Sequence, residues 1–247
     1  MDIVYVIGGG SQKNNLELRM SLRSISKYGH NLGRVIVVGQ PPQWLSNEVV
    51  KVEVADKYSY KHSNILNCIE HIIDMGIVDG EFLYSSDDHF YVRDVDFDEY
   101  PYFIKGELRY SVTKTDPYYQ YHKSLYDTRH LCRKYHLPTQ NYSQHCNTHM
   151  HADVFRDIRH IIHESYAFPF GVEPTTIIMN AWQTRKDAPA VEPREDLKIS
   201  TAVSLKDIYL QTGARDCFSI SDNIFKGKAI YDFFEVEYGI KSIFEGD

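Results

Sequence analysis

The chain has 247 residues, of which 43% are hydrophobic and 25% charged, and its formal net charge is −7. These values are typical of one large globular domain with a sizeable core, and the charge argues against a protein that wraps nucleic acid over its whole surface, although a local basic groove stays compatible with it. No run of about 18 apolar residues is present, which excludes a membrane-spanning helix. The four cysteines lie far apart without a Cys-x-x-Cys motif, which indicates neither a disulfide framework nor a zinc ribbon.

The first hundred residues alternate between predicted strands and helices. No basic segment precedes the first strand, so we expect a cytoplasmic protein without a signal peptide. Strands are predicted at 3–7, 34–38, 49–54 and 82–84, and helices at 16–28 and 63–75, the second capped by Ser63. Strands joined by helices at this spacing predict an α/β fold with a mostly parallel, Rossmann-like sheet flanked by helices.

The second half of the chain has a weaker pattern, in which helices are expected at 152–165 and 174–186. Residues 105–136 contain seven Lys and Arg against three Asp and Glu, with six interleaved tyrosines. We expect residues 101–247 to form an α-rich extension that packs on the first half and holds an acceptor.

Two adjacent carboxylates, Asp87 and Asp88, follow the predicted strand at 82–84. Because aspartate is depleted in strand interiors, the pair should lie where the strand ends, at the sheet edge where ligands collect. Hard oxygen ligands there suit Mn²⁺ or Mg²⁺, which in turn hold a diphosphate. An acidic turn between two strands is the alternative.

Gly8, Gly9, Gly10 and Ser11 follow the first strand. The dinucleotide-binding pattern G-x-G-x-x-G is absent because Lys13 stands at the third glycine position. Glycine still permits close approach of a phosphate or nucleobase, and a plain turn explains the segment equally well.

Three histidines and a cysteine lie within residues 145–151. No second ligand pair at zinc-site spacing is evident, so a single functional histidine is the more modest interpretation, and His149 is the best candidate for a base or a metal ligand. A hydrogen-bonded structural histidine is the alternative. Asp222, in Ser221-Asp222-Asn223, is favoured as a helix cap and is a weaker site candidate.

Several segments, in order, resemble conserved regions of the Stealth proteins: 15–28, 35–45, 86–90, 149–155, 218–223 and 241–245. Ser86-Asp87-Asp88 is also similar to the Asp-x-Asp motif of glycosyltransferases with the GT-A fold, with Ser86 in the first acidic position. The chain departs from the Stealth pattern at its start, where Ile7-Gly8-Gly9-Gly10 replaces a Trp-Val-Asp-Gly element, and at Ser86 and His89.

The resemblance implies a single GT-A-like domain over 1–247, with 1–100 binding a nucleotide-sugar and 101–247 forming the acceptor side. It implies a metal-dependent glycosyltransferase that uses a nucleoside-diphosphate sugar, preferably a UDP-sugar. Asp87, Asp88 and His149 would be metal ligands or catalytic residues. Donor contacts would come from Gly8, Gly9, Gly10, Ser11, Arg19, Arg23, Lys61, Asn64 and Ser86. Structural ion pairs explain Arg19 and Arg23 equally well.

The acceptor is expected to be a glycan or another polyanion held by Lys123, Arg129, Arg133, Tyr118 and Tyr119. A DNA base is one version of this acceptor, which would suit a viral DNA-modifying enzyme in the host cytoplasm. Stealth-type transfer of hexose-1-phosphate is the first alternative. A non-catalytic module that binds a sugar or nucleotide is the second.

Overall fold

Five strands form the central sheet in the computed structural model, which describes residues 1–9, 13–108 and 111–246. The helices of this part of the chain are α1 Leu16–Tyr28, α2 Lys61–Asp74, α3 Tyr119–Lys134, α4 Ala152–Asp157, α5 Arg159–Ser165, α6 Pro174–Trp182, α7 Leu205–Thr212 and α8 Ala229–Tyr238, with a 3₁₀ helix at Asp222–Lys226. The strands are β1 Ile3–Ile7, β2 Gly29–His30, β3 Val35–Gly39, β4 Val49–Glu53, β5 Glu81–Ser85, β6 His89–Tyr91, β7 Val95–Asp96, β8 Phe103–Ile104, β9 Gly106–Glu107, β10 Gln140–Asn141, β11 Thr148–His151, β12 Glu192–Pro193, β13 Lys198–Ile199 and β14 Cys217–Ile220.

The central sheet has the strand order β11-β5-β1-β3-β4. Strands β5, β1, β3 and β4 are parallel, and β11 is antiparallel to β5. The predicted α/β fold with a mostly parallel sheet is therefore confirmed. Strands β1 and β3 are almost continuously apolar because helices cover both faces of the sheet, so neither face can carry polar side chains.

Two apolar cores lie on opposite faces of this sheet. Helix α1 contributes Leu18, Leu22 and Ile25 to one core. Helices α2 and α6 contribute to the other core, with Leu66 and Ile177 among its buried residues. Burial of a Leu or Ile side chain contributes about 1.5–3 kcal/mol, so this layering accounts for much of the stability of the sheet.

The helix predictions are confirmed in position and revised in extent. Helix α1 has the predicted bounds, whereas α2 begins before Ser63, after Tyr60, which makes no side-chain cap bond. The helix expected at 152–165 is divided at Ile158 into α4 and α5, and α6 ends at Trp182.

The second half of the chain is more than an extension, because it supplies β11 to the central sheet and α6 to its cover. It also forms most of a smaller sheet, β13-β14-β6, with a third core against α8. No helix in the described ranges is long and apolar enough to cross a membrane.

Candidate functional site

The carboxylate pair lies at the C-terminal edge of the parallel sheet, as the sequence predicts. Strand β5 pairs in parallel with β1, with Ile3 opposite Leu83 and Tyr5 opposite Ser85. The segment after β5, which contains Asp87 and Asp88, therefore emerges beside the segment after β1. A cavity of about 810 Å³ opens at this edge, within the size range of small-molecule sites.

Seven of the predicted site residues line this cavity: Gly8, Gly9, Lys61, Asn64, Ser86, Asp87 and Asp88. Gly10 and Ser11 lie outside the described residues. The structure thus brings together the glycine segment, the start of α2 and the carboxylate pair, which are separated by tens of residues in the sequence.

Four carboxylates crowd one side of the cavity. Burial, together with the neighbouring charge of Asp88, raises the pKa of Asp87 to about 6. Burial likewise raises the pKa of Glu17 to about 8, with contributions from the charges of Asp87, Asp88 and Asp222. Negative charge in this region exceeds what the surrounding protein neutralises. Asp222 also lies in the cavity wall, at the start of the 3₁₀ helix, whose N-cap residue Ser221 makes no side-chain cap bond.

Two lysines flank the carboxylates. Lys198 Nζ lies 3.6 Å from Asp88 Oδ2, and the charge of Lys61 acts on Asp87. Lys61 was predicted as a donor contact. Lys198 was missed, because a lysine in a two-residue strand has no sequence signal that distinguishes it from other surface lysines.

Asn64 shapes the loop before α2. Its Oδ1 accepts hydrogen bonds from the backbone N–H groups of Lys57 and Tyr58, at 3.0 and 2.8 Å, and its Nδ2 donates to Tyr58 O at 2.8 Å. The side-chain amide of Asn64 hydrogen bonds to the loop backbone. Its predicted contact with a sugar donor is therefore replaced by an indirect role, in which it fixes the backbone that borders the cavity.

Arg19 and Arg23 lie outside the cavity wall, and the ion-pair alternative describes their contacts. Arg19 Nη1 lies 2.6 Å from Glu245 Oε2, and Arg23 Nε lies 2.7 Å from Glu245 Oε1. The Glu245 side chain is fully buried by these two guanidinium groups. The pair on α1 therefore anchors the C-terminal segment, and neither arginine is placed to hold a diphosphate in the cavity.

His149 lies on β11, away from the carboxylate pair. Adjacent residues of a strand point to opposite faces, so Thr148 lines the main cavity while His149 lines a second, smaller one beside Glu81. His149 Nδ1 hydrogen bonds to Glu81 Oε1, His149 Nε2 donates to Tyr100 O at 2.8 Å, and the ring stacks on Tyr102 at 3.8 Å. The predicted catalytic and metal roles of His149 do not fit this position, and the structural alternative describes it.

Three other histidines line the main cavity: His62, His89 and His145. Burial lowers the pKa of His62 to about 3 and that of His145 to about 4, and it also lowers the pKa of His89. All three are neutral at pH 7 and offer hydrogen bonds rather than charge. His145 belongs to the histidine-rich stretch at 145–151, so this stretch reaches the main cavity through His145 and not through the predicted His149.

The predicted acceptor residues lie on or beside α3 and do not line the cavity, although Tyr121 of the same helix does. Lys123 is paired with Asp127, Tyr118 is exposed, and Tyr119 packs against Phe170. Arg129 and Arg133 also lie on α3, Arg133 with an exposed side chain. Elsewhere in 105–136, Lys105 pairs with Asp196 and Lys134 with Glu164. Acidic partners thus offset the charge of three of the seven basic residues that suggested a polyanion site.

Glu173 is a cavity residue that the sequence did not reveal. It precedes α6 and accepts a hydrogen bond from Thr176 N, so it caps that helix. Burial raises its pKa. Glutamate is not among the preferred capping residues, so a helix-cap search would not select it.

The carboxylate pair fits a divalent cation only if a bound substrate supplies further ligand atoms to that cation. Among the residues that the structure describes, no three His, Cys, Asp or Glu side chains are grouped closely enough to hold a metal ion. Mg²⁺ is usually bound by one or two carboxylates together with substrate phosphates. The crowding of negative charge around Asp87 and Asp88 suits that chemistry, because a cation would relieve it.

Comparison with known proteins yields no assignment: no protein-family model matches the chain, and no curated protein matches it with significance. The resemblance to Stealth proteins and to GT-A glycosyltransferases therefore stays a hypothesis. The fold and the cavity define a class in physical terms, an α/β protein with an acidic pocket at the C-terminal edge of a mostly parallel sheet.

Proposed function

We propose that the chain is a metal-dependent glycosyltransferase of GT-A-like architecture that transfers a sugar from a nucleoside-diphosphate sugar, preferably a UDP-sugar. The observation that carries the proposal is the carboxylate pair Asp87–Asp88, which lies at the edge where parallel α/β sheets bind ligands and borders a cavity of about 810 Å³.

Asp88 and Asp87 would hold Mn²⁺ or Mg²⁺ jointly with diphosphate oxygens. When bound, the cation would neutralise charge that develops on the leaving nucleoside diphosphate. Burial is the main cause of the raised pKa values of Asp87 and Glu17, and the charges of neighbouring carboxylates add to it. This second contribution supports the assignment, because a bound cation would oppose it.

Lys61 and Lys198 are the cations best placed to contact the diphosphate. Both line the cavity, and each acts on one member of the carboxylate pair. They take the place of Arg19 and Arg23 in the predicted donor site. Gly8 and Gly9 lack side chains and leave the backbone after β1 open to the nucleotide.

The acceptor that the cavity suits best is a neutral glycan hydroxyl. More carboxylates than lysines line the wall: Glu17, Asp56, Asp87, Asp88, Glu173 and Asp222 against Lys13, Lys61 and Lys198. A polyanion such as DNA would meet repulsion there, and three of the basic residues of 105–136 that suggested it, Lys105, Lys123 and Lys134, have acidic partners of their own.

A thermal-shift screen of nucleoside-diphosphate sugars, each with Mn²⁺ and with EDTA, tests the proposal. A ligand that binds only the folded state raises the melting temperature, so we expect a Mn²⁺-dependent rise for at least one UDP-sugar and none in EDTA. No shift with any donor at millimolar concentration would contradict the proposal.

Product analysis with the donor that binds separates two transfer chemistries. Glycosyl transfer releases the nucleoside diphosphate and forms a glycosidic bond. Transfer of hexose-1-phosphate, the chemistry implied by the Stealth resemblance, releases the nucleoside monophosphate and forms a phosphodiester.

A further inference from the structure

Glu173 places a rigid carboxylate in the cavity wall, on the side supplied by the second half of the chain. The residue is 6% exposed. Its Oε2 atom accepts hydrogen bonds from Thr175 Oγ1 at 2.8 Å and from Thr176 N at 2.6 Å. One carboxylate oxygen thus caps helix α6.

The other oxygen, Oε1, is available to a ligand. Both of these hydrogen bonds end on Oε2, and Oε1 is not among the fully buried, unpartnered atoms of the described residues. The Thr175 backbone and the Thr176 side chain also hydrogen bond to the carboxylate and lower its pKa, but burial outweighs them. Since Glu173 lines the main cavity, its remaining exposed surface and its second oxygen belong to that space.

The backbone around Glu173 is fixed from two sides. Glu173 N donates to Thr128 Oγ1 on α3 at 2.8 Å. Gly171, at φ +63°, packs so closely on α2 that an added Cβ would lie 2.7 Å from Ser63 Oγ. A carboxylate held in this way is preorganised, which catalysis requires of a group that acts on a bound substrate.

Helix capping alone does not explain a glutamate here. Ser, Thr, Asn and Asp cap helices best, and burying a carboxylate costs free energy that a neutral serine or threonine would avoid. Burial raises the pKa of Glu173, which brings its proton affinity closer to that of a general base for neutral pH. The Tyr84 hydroxyl lies within electrostatic range of Glu173 and of Asp87 and Asp88, so the three carboxylates border one space.

We propose that Glu173 is the catalytic base that takes the proton from the acceptor hydroxyl through Oε1, a role that rests on the proposed glycosyl transfer. The acceptor oxygen forms a bond to the anomeric carbon, and the bond from that carbon to the diphosphate oxygen breaks. The nucleoside diphosphate leaves with the electron pair, and the acceptor proton passes to Glu173.

The variant Glu173→Gln tests this role, because its side-chain oxygen still caps α6 while it cannot take up the proton. The assay is UDP release from UDP-glucose, UDP-galactose or UDP-N-acetylglucosamine with Mn²⁺, with water or maltose as acceptor. We expect donor binding as in the wild type, a rate lower by about 10²–10⁴-fold, and loss of the rise in rate with pH that the wild type shows as its base deprotonates.

Two controls separate the possible outcomes. Glu235→Gln removes an exposed carboxylate on α8 and should leave rate and pH profile unchanged. Glu173→Ser retains a capping side chain without the carboxylate, and it replaces Glu173→Gln should that variant fold poorly. A rate within about twofold of the wild type, or a drop with an unchanged pH profile, would overturn the base role. A wild-type chain that binds no nucleotide-sugar would instead overturn the proposed function, and this role with it.

Discussion

The two ends of strand β5 carry carboxylates in opposite circumstances. At the N-terminal end, Glu81 accepts hydrogen bonds from His149 and from Tyr102 Oη, the latter at 2.6 Å. Burial alone would raise the pKa of Glu81, yet these bonds hold it below its ordinary value. Past the C-terminal end, Asp87 has a raised pKa because burial and Asp88 oppose its charge.

This difference is the one we expect between a structural carboxylate and a carboxylate that binds a ligand. The polar groups around Glu81 satisfy one another, so the cluster stabilises the fold without a ligand. The carboxylates around Asp87 are poorly compensated, a state that natural proteins retain mainly where a ligand supplies the missing charge. The contrast predicts that substitutions at the first end reduce stability, whereas substitutions at the second reduce binding.

The largest stability effect is expected for His149→Ala. It removes two hydrogen bonds, leaves Tyr102 Oη as the remaining partner of Glu81 and opens a gap beside Tyr102, so the unfolding free energy should fall by about 3 kcal/mol. Urea unfolding measures the change. His151→Ala, which removes one cap hydrogen bond from Asp153 N at the start of α4, is the comparison on the same strand and should cost less, about 1 kcal/mol. Unchanged stability together with lost Mn²⁺-dependent donor binding would place His149 in the site after all.

A smaller loss is expected for Glu245→Gln, since Arg19 and Arg23 stay partly hydrated. Burial would raise the pKa of Glu245, but hydrogen bonds from Arg23 and from Ser242 N hold it at about 2. The carboxylate therefore stabilises the fold above its ordinary pKa near 4.5, and this contribution disappears as pH falls toward 2. We expect a cost of about 2 kcal/mol at pH 7.

Urea unfolding at several pH values checks this expectation: the difference between wild type and Glu245→Gln should narrow below pH 4.5. Glu164→Gln, which removes the half-buried partner of the exposed Lys134, is the control and should change stability far less. A Glu245→Gln variant that unfolds like the wild type at pH 7, but binds the sugar donor less well, would contradict this account and support the predicted donor contacts of Arg19 and Arg23.

The smallest expected effect is a gain in stability, in the variant Asp87→Asn. The pKa of Asp87 is raised from 3.8 to about 6 in the folded state, so folding favours its protonated form. Stability of the metal-free protein should fall as pH rises through this window, and Glu17 should extend the fall toward pH 8. Asp87→Asn should therefore stabilise the metal-free protein at pH 8 by about 1 kcal/mol. Unfolding in EDTA across pH 4–8 tests this, and a destabilised variant would contradict the account of charge crowding.

Local sequence patterns predicted the elements that depend on neighbouring residues. The apolar spacing of α1 gave its bounds, and the break from apolar residues to Asp87–Asp88 located the sheet edge. Partners distant in sequence were not predictable in this way. The pairing of Arg23 with Glu245 depends on how the C-terminal segment folds back onto α1.

The sequence alone could not show which histidine of 145–151 faces the cavity, because this depends on the register of β11. Once Thr148 faces the cavity, strand alternation turns His149 away from it. Glu173 was hidden for a different reason: glutamate is not a preferred helix-capping residue, and nothing local in the sequence shows that its side chain borders the cavity.

Calorimetric titration of Asp88→Asn with the UDP-sugar selected in the thermal-shift screen, with and without Mn²⁺, tests the central claim most directly. Asp94→Asn, which alters an exposed aspartate paired with His30, serves as the control. We predict that Mn²⁺ strengthens donor binding at least about tenfold, or about 1.4 kcal/mol, in the wild type and in Asp94→Asn. The same gain should vanish in Asp88→Asn while the variant stays folded. Equal donor affinity in all three proteins, with or without Mn²⁺, would contradict the assignment of Asp88 to a metal site.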